Sequence, residues 1–280
     1  MKVLSLVDES VKSGGGLLTE HGLALLIDFE GQKILFDTGS GRALLPNAKA
    51  LGEDLAMVEY LVLSHGHFDH GGGLQSFLKV NKQAKVFLKK EAMGNFYSHG
   101  YFADRYIGLD KKVLKKYENR LELLKEPVEI GKDIFIVTEI KKTDPISDFN
   151  NNLMKEVNKT LLPDTFEHEL FLIIKENGKL VIFTGCGHSG IANILRTTAE
   201  IFKGYTIRAI FGGFHYRRSG SNILNQSDKE LVENEAQELS KFEVDHFYTA
   251  HCSGRDGSES LKNVLGKKVS ALSAGDILEL

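Results

Sequence analysis

Short apolar runs alternate with helical patterns along most of the chain. Runs rich in aliphatic and β-branched residues, which predict strands, lie at 2–7, 23–29, 33–39, 60–66, 84–90, 169–175, 179–185, 205–213 and 244–250. Apolar residues at helical spacing lie at 44–53, 73–81, 191–203, 228–241 and 258–265. Strands that alternate with helices in both halves of the chain predict an α/β fold.

The pattern loosens between about residues 90 and 165, where charged residues and aromatic residues are interspersed. Its later part, 141–164, is polar and rich in asparagine. We interpret 90–165 as an insertion or lid within a single domain that spans 1–280. A long irregular connection in a compact domain is usually a functional lid or disordered, and both interpretations stay open here.

Composition and charge narrow the class of protein. The 280 residues are 42% hydrophobic, which is enough to bury a sizeable core, and the net charge of −3 leaves no general polycationic surface for nucleic acid or anionic lipid. The chain has no run of about 18 apolar residues, so the sequence predicts no membrane span, and no secretory signal is visible. Two cysteines cannot build a disulfide framework. We expect a cytoplasmic protein with a small-molecule substrate and no nucleic-acid or membrane partner; its oligomeric state stays open.

Three of the ten histidines lie in the six-residue run HGHFDH at 65–70, directly after an apolar strand. Imidazoles and carboxylates are ligands of first-row metals, and residues two apart in a loop at a strand end can project to one side. The run therefore offers ligands for two metal ions. The three glycines at 71–73 allow a sharp turn into a helix, whose N-terminus favours a hydroxide or an anionic substrate group.

This run resembles the signature of the metallo-β-lactamase superfamily, whose members have a four-layer αβ/βα sandwich with one or two metal ions at the edge between its sheets. The resemblance implies that His65 and His67 bind the first metal. It implies that Asp69 and His70 bind the second, with Asp69 also taking part in catalysis. Later loops would supply the remaining ligands.

The first of these later loops is TGCGH at 184–188. Cys186 stands where many superfamily members place a bridging aspartate, and it is either a thiolate ligand or a small buried residue. His188, two residues later, is the ligand that we favour from this loop. His168 lies roughly where many members carry their third histidine, so it competes with His188 for the first metal or contacts substrate.

The second later loop is AHC at 250–252, in which His251 matches the last histidine ligand of the superfamily. A hydrogen-bonded histidine at a strand end is the alternative. His215, in the motif GGFH, is a candidate for protonating a leaving group or contacting substrate, because general acid catalysis needs a group that titrates near neutrality. A core histidine is equally compatible with its position.

Three residues near the N-terminus are expected to support the metal ligands. In the superfamily interpretation, Asp37 holds the histidine loop in place without itself binding metal, and Glu20 and His21 face the same cleft. The alternative is an ordinary loop in which Asp37 caps a turn.

Basic residues near the candidate cleft are candidates for binding phosphate. Arg217 and Arg218 directly follow the GGFH motif, and Arg105 lies in the predicted insertion. A solvated surface is the alternative for each of them.

Further phrases, among them GLLTEHG at 16–22 and ILFDTG at 34–39, resemble one subgroup of the superfamily. That subgroup contains the dihydropterin ribofuranosylaminobenzene phosphate synthase of methanopterin biosynthesis and many proteins described as metal-dependent hydrolases. The resemblance implies a hydrolase with two divalent metal ions, zinc first and manganese or iron as alternatives. A metal-bound hydroxide would attack an ester-like bond of a phosphorylated small molecule. A pterin-type synthase that displaces diphosphate and a non-catalytic metal sensor are the other candidate functions.

Overall fold

The computed structural model describes residues 1–12, 16–218 and 223–280. Its strands are β1 (Lys2–Val7), β2 (Ala24–Phe29), β3 (Gln32–Phe36), β4 (Tyr60–Val62), β5 (Lys85–Lys89), β6 (Phe96–Ser98), β7 (Arg105–Tyr106), β8 (Leu121–Leu124), β9 (Val128–Gly131), β10 (Ile134–Val137), β11 (Leu153–Val157), β12 (Thr160–Pro163), β13 (Phe171–Glu176), β14 (Lys179–Thr184), β15 (Thr206–Gly212), β16 (Val244–Thr249), β17 (Val269–Ala271) and β18 (Ile277–Glu279). Its α-helices are α1 (Leu44–Ala50), α2 (Phe68–Gly71), α3 (Leu74–Val80), α4 (Lys111–Lys116), α5 (Ile191–Ile201), α6 (Gln226–Leu239) and α7 (Gly254–Leu265).

Two seven-stranded sheets have the same plan. The first has the order β18-β1-β2-β3-β4-β5-β8 and the second β17-β16-β15-β14-β13-β10-β9. In each sheet an antiparallel part continues into a parallel part, which runs through β3, β4, β5 and β8 in the first sheet and through β14, β15, β16 and β17 in the second. The predicted α/β class is confirmed.

Three apolar clusters show how the sheets are layered. Phe36 of the first sheet and Phe183 of the second face each other between the sheets, with ring centroids 6.2 Å apart. The outer face of the first sheet packs against α1, α3 and α4, and that of the second packs against α5, α6 and α7. Strands covered on both faces appear in the sequence as nearly continuous apolar runs. The layers are therefore helix, sheet, sheet and helix, as the four-layer sandwich requires.

The segment predicted as an insertion is divided between three sheets. Strands β8, β9 and β10 join the edges of the two large sheets. Only β6, β7, β11 and β12 form a separate antiparallel sheet, in the order β12-β11-β6-β7, which we call the small sheet. Phe96, Ile107, Leu153 and Phe166 form its apolar core. The polar segment 141–164, for which a lid and disorder were both open, contributes β11 and β12 to this sheet.

The carboxyl ends of the parallel strands meet at one edge of the sandwich. The loops after β3 and β4 of the first sheet lie there beside the loops after β14, β15 and β16 of the second. The small sheet is attached at the same edge, because the backbone N–H of Phe68 donates to the carbonyl of Ile107 (2.8 Å) and His67 pairs with Gly108 in an isolated bridge. Among the described helices, none is long and apolar enough to span a membrane.

Candidate metal centre

Asp37 anchors the histidine loop that follows β4. Its fully buried carboxylate accepts hydrogen bonds from the backbone N–H of Ser64 (2.8 Å) and from the Ser64 hydroxyl (2.7 Å). The same carboxylate lies 2.7 Å from Nδ1 of His70. Asp37 itself has a positive φ of 61°, which turns the chain sharply at the end of β3. Three contacts from one carboxylate thus set the position of the loop and the orientation of one of its imidazoles.

The first candidate ligand set consists of His65, His67 and His188, each of which offers a ring nitrogen within 4.8 Å of the others. Nδ1 of His65 contacts the Ser64 hydroxyl (2.8 Å), and Nδ1 of His188 contacts Oδ1 of Asn150 (2.8 Å). A partner on one ring nitrogen directs the other nitrogen toward a metal. Nε2 of both His65 and His188 is thereby left for the centre of the set.

The second candidate ligand set is the predicted group Asp69, His70 and His251, and His21 also contacts Asp69. Oδ2 of Asp69 lies 3.1 Å from Nε2 of His21 and 3.2 Å from Nε2 of His251. On the opposite side of the His251 ring, Nδ1 lies 3.0 Å from the carboxylate of Glu9. The Nε2 atom of His70 faces away from Asp37 and into the site.

Unpartnered nitrogens show that these residues fit a metal. Nε2 of His67 and Nε2 of His188 are buried and have no hydrogen-bond partner among the described residues. A buried polar atom without a partner costs free energy, and a bound cation would take its lone pair. Together with a carboxylate and held imidazoles, such nitrogens make a donor set suited to zinc, manganese or iron.

The two sets differ in the charge of their side chains. Burial and the neighbouring imidazoles lower the pKa of His67 to about 3 and hold the pKa values of His65 and His188 well below their usual range, so these rings are neutral. Burial opposes the charge on His251, but Glu9 and Asp69 overcome it and raise the pKa of His251 well above its usual value. The second set therefore contains its own ion pairs.

Burial alone would raise the pKa of Asp69, but hydrogen bonds with His21 and His251 hold it well below its usual range. Asp69 is therefore ionised and can act as a ligand.

Cys186 and Cys252 are both free thiols and both line the site. Sγ of Cys186 lies 3.1 Å from Nε2 of His70. The two sulfur atoms and a ring nitrogen of His215 lie within 4.8 Å of one another. Gly213, just after β15, makes room for this approach, since a Cβ there would lie 2.4 Å from Sγ of Cys252. Cys252 is buried but also faces the cleft.

His168 and His188 occupy different positions, although the sequence left both as candidates for the first metal. Nδ1 of His168 accepts a hydrogen bond from the backbone N–H of Gly66 (2.9 Å), and Nε2 contacts Oδ2 of Asp164 (3.0 Å). With both ring nitrogens engaged, His168 supports the histidine loop. His188 is the residue with a free nitrogen.

His215 lies at the wall of the cleft and packs against His188 with the rings tilted by 58° and their centroids 4.3 Å apart. Its Nδ1 is buried and has no hydrogen-bond partner among the described residues, and its backbone has a positive φ of 48°. A strained backbone in a non-glycine residue is often associated with a functional site.

Two of the remaining predicted residues are bound to the protein itself. The carboxylate of Glu20 accepts hydrogen bonds from the backbone N–H groups of Gly41, Arg42 and Ala43, so it stabilises the loop before α1 instead of facing the cleft as we expected. The guanidinium of Arg218 is paired with Asp228 (2.9 Å). This pair uses the N–H donor that we expected to bind phosphate.

His21 and Arg217 do reach the cleft. Nδ1 of His21 lies 2.5 Å from the carboxylate of Glu9, and Nη1 of Arg217 lies 3.6 Å from the same carboxylate. Glu9 is therefore shared between His21, His251 and Arg217.

Several supporting residues were missed by the sequence interpretation. Glu9 and Asn150 position His251 and His188, while Glu169 accepts the backbone N–H of His188 (2.8 Å). Asp8 accepts the backbone N–H of His251 (2.8 Å), and burial raises the pKa of Asp8 to about 6. A signal for Asp8 and Glu9 was present, because two acids directly follow the apolar strand β1. Nothing comparable marks Asn150 within its asparagine-rich segment.

A cleft of about 190 Å³ opens over both ligand sets. Its walls carry His67, Asp69 and His188 from the sets, both cysteines, His21, His215, Arg105, Arg217 and Arg218, together with Phe68, Ser98, Ile107, Asn152 and Leu153. The candidate ligands His67, Asp69 and His188 therefore face a space large enough for part of a small molecule, and residues of the small sheet form one of its walls.

Two proteins of known sequence are similar to this chain. The 7,8-dihydropterin-6-methyl-4-(beta-D-ribofuranosyl)-aminobenzene-5'-phosphate synthase of Methanocaldococcus jannaschii is 28% identical over 296 residues, covering 100% of this chain and 96% of that protein. The uncharacterized protein MJ0448 of the same organism is 31% identical over 212 residues, covering 74% of this chain and 77% of that protein.

A solved structure resembles the chain closely. The crystal structure of Tm1679, described as a metal-dependent hydrolase of the beta-lactamase superfamily, superimposes with a TM-score of 0.83 at 31% identity and covers 100% of this chain and 99% of its own. The family model of the metallo-beta-lactamase superfamily matches residues 19–251, which include the histidine loop and the last histidine ligand. On these grounds, the chain belongs to the metallo-beta-lactamase superfamily.

Proposed function

We propose that the chain is a metal-dependent hydrolase that binds two divalent ions, zinc foremost, and cleaves an ester-like bond of a small phosphorylated molecule. The observation that carries this proposal is that two candidate ligand sets lie at the base of one cleft. In each set a side chain contacts the Nδ1 atom of an imidazole, Asn150 in the case of His188 and Glu9 in the case of His251, and so directs Nε2 toward the site. A non-catalytic fold has no evident need for imidazoles oriented in this way.

The chain's own residues have distinct tasks in this proposal. Two divalent ions would supply a nucleophilic hydroxide at neutral pH and polarise the bond to be cleaved. Asn150 and Ser64 hold the first set, and Glu9 and Asp37 hold the second. Because these contacts are already present in the protein, the ligands need little reorganisation when substrate arrives.

His215 is the residue placed to protonate the leaving group. Its ring lies against His188 at the wall of the cleft, and its unpartnered Nδ1 is not used by any other described residue. Transfer of a proton from this ring to a leaving oxygen would complete hydrolysis without a second acid.

The full-length similarity to the dihydropterin synthase favours a second candidate, a metal-dependent transferase that displaces diphosphate from a pterin. The fold and the ligand sets serve either reaction, whereas the solved relative is described as a hydrolase. Arginine side chains in the cleft would assist departure of diphosphate in this case.

The test combines metal content by mass spectrometry with hydrolysis of a generic phosphodiester in the presence and absence of added zinc or manganese. We expect two metal ions per chain and metal-dependent turnover, with His67→Ala as the inactive control. Two metals without hydrolysis, followed by release of diphosphate from a pterin substrate, would replace the hydrolase by the transferase. A protein that holds no metal after gentle purification would contradict both.

A further inference from the structure

The small sheet is fixed to the metal-binding loop. The backbone N–H of Phe68 donates to the carbonyl of Ile107 (2.8 Å), and the N–H of Ile107 donates to the carbonyl of Phe96 (2.8 Å). Phe68 is the residue between the ligands His67 and Asp69. Any group on this part of the small sheet is therefore held in a defined position relative to both ligand sets.

Arg105 extends from this wall into the cleft. Its guanidinium carbon lies 4.9 Å from the centroid of the Phe68 ring, an arrangement in which a cation stacks on an aromatic face. Asp104, the adjacent acid, contacts Nδ1 of His99 (2.6 Å) instead. Among residues 1–12, 16–218 and 223–280, Arg105 forms no ion pair, so its charge is available to a ligand.

Two further donors lie beside Arg105. Ser98 is its direct partner across the β6–β7 pair, and side chains directly opposite in an antiparallel pair share one face of the sheet. The side-chain amide of Asn152 donates to the Ser98 hydroxyl oxygen (3.0 Å), which leaves the hydroxyl proton and the second amide proton unused by this contact. All three side chains line the cleft.

The other arginines of the cleft are less suited to this task. Arg218 is paired with Asp228 and donates to the carbonyl of Asp148 (2.8 Å). Arg217 lies against His21 (3.1 Å) and the carboxylate of Glu9. Arg105 is thus the arginine of the cleft that no carboxylate neutralises among the described residues.

We infer that Arg105, Ser98 and Asn152 form a binding site for a phosphate group of the substrate that is not the group being cleaved. A guanidinium, a hydroxyl and an amide make a donor set that matches the oxygens of a phosphate. Phe68 and Leu153 line the cleft with them, so the substrate is an organic phosphate with an apolar or aromatic part between its phosphate and its reacting bond. This inference rests on the proposed function only for the end of the substrate that reacts.

The test is calorimetric titration of the metal-loaded protein with phenyl phosphate and with phenol. We expect Arg105→Ala to weaken phenyl phosphate binding about tenfold to a hundredfold, because a charge-assisted contact is lost. Arg105→Lys should recover part of the affinity, since the charge returns without the planar fork. Arg255→Ala is the matched control, because Arg255 is exposed and paired with Glu259 outside the cleft, and it should bind phenyl phosphate as the unaltered protein does.

Equal phenyl phosphate affinity in Arg105→Ala and the unaltered protein would overturn the inference, as would affinity for phenol equal to that for phenyl phosphate. If only the metals bind the phosphate group, phenyl phosphate binding is lost in His67→Ala and kept in Arg105→Ala. That result also overturns the inference. Metal-dependent phosphodiester hydrolysis measured on the same samples separates the two proposals. Hydrolysis without Arg105-dependent binding would support the hydrolase and overturn the phosphate site. Arg105-dependent binding without hydrolysis would support the phosphate site and contradict the hydrolase.

Discussion

The two ligand sets of the metal centre share one loop and differ in what their atoms contact. The nitrogens of the first set, His65, His67 and His188, surround a space in which Nε2 of His67 and His188 has no partner among the described residues. In the second set, Asp69 is already in contact with His21 and His251. A metal entering the first set would meet two unpartnered nitrogens and one contact between imidazoles, from Nε2 of His65 to Nδ1 of His67 (3.0 Å). A metal entering the second set would have to replace the contacts of a charged carboxylate with two imidazoles. We therefore expect the first set to bind metal more tightly.

The largest effect should come from removing a ligand of the first set. His67→Ala is expected to lose one metal ion and to reduce metal-dependent turnover by about a thousandfold, because a metal ion supplies several kcal/mol of transition-state stabilisation. Metal content and turnover on the same preparation provide the measurement. His99→Ala is the control, since His99 is exposed on the small sheet and pairs with Asp104. Two metals and full turnover in His67→Ala would show that the first set is misassigned.

A smaller effect on metal affinity should follow from changing the residues that contact Nδ1 of an imidazole in each set. Asn150→Ala is expected to weaken the tighter metal, and Glu9→Gln the weaker one, each by about tenfold to a hundredfold. Stepwise zinc titration with a competing chelator distinguishes the two affinities. If both variants lowered the same affinity, the division into two sets would be wrong.

Cys186 offers a test of ligand softness in the second set. Because its Sγ lies 3.1 Å from Nε2 of His70, Cys186→Ser should weaken retention of the second zinc ion by about tenfold and leave manganese little changed, since thiolate favours softer ions. Cys252→Ser, which keeps this contact, is the comparison. Unchanged zinc retention in Cys186→Ser would make Cys186 a packing residue.

The smallest effect concerns the space between the two thiols. Gly213→Ala places a Cβ where only 2.4 Å separates it from Sγ of Cys252. The sulfur can rotate aside, so we expect a loss of about 1 kcal/mol in the free energy of unfolding, at the low end for overpacking. Denaturant unfolding measures it. A more stable variant would show that the thiols do not need this space.

Candidate ligands that are contiguous in sequence could be proposed from the sequence, since HGHFDH places three imidazoles and a carboxylate within six positions. The resemblance to the superfamily and the four-layer fold drawn from it are confirmed. The choice between His168 and His188 could not be made from sequence alone, because it depends on which ring nitrogen has a partner. Glu9 follows an apolar strand and so carried a signal, but its partner could not be predicted, since the contact with His251 joins residues 242 positions apart.

The edge strands of the large sheets were also missed. Strands β8 and β9 have only partly buried side chains and lie within a charged stretch, so they lack the continuous apolar runs of the central strands. Pairing with a neighbouring strand, and not local composition, makes them part of the sandwich. For the same reason 90–165 resembled one continuous insertion.

The contact between Glu9 and His251 has a consequence for the order in which the protein is made. Synthesis proceeds from the N-terminus, so the first set has all three of its histidines once residue 188 has been added. The second set must wait for residue 251, when a carboxylate made near the start of translation meets a histidine made near its end. Under the proposed function, the histidines for the first ion are therefore all present in the nascent chain before those for the second ion are complete.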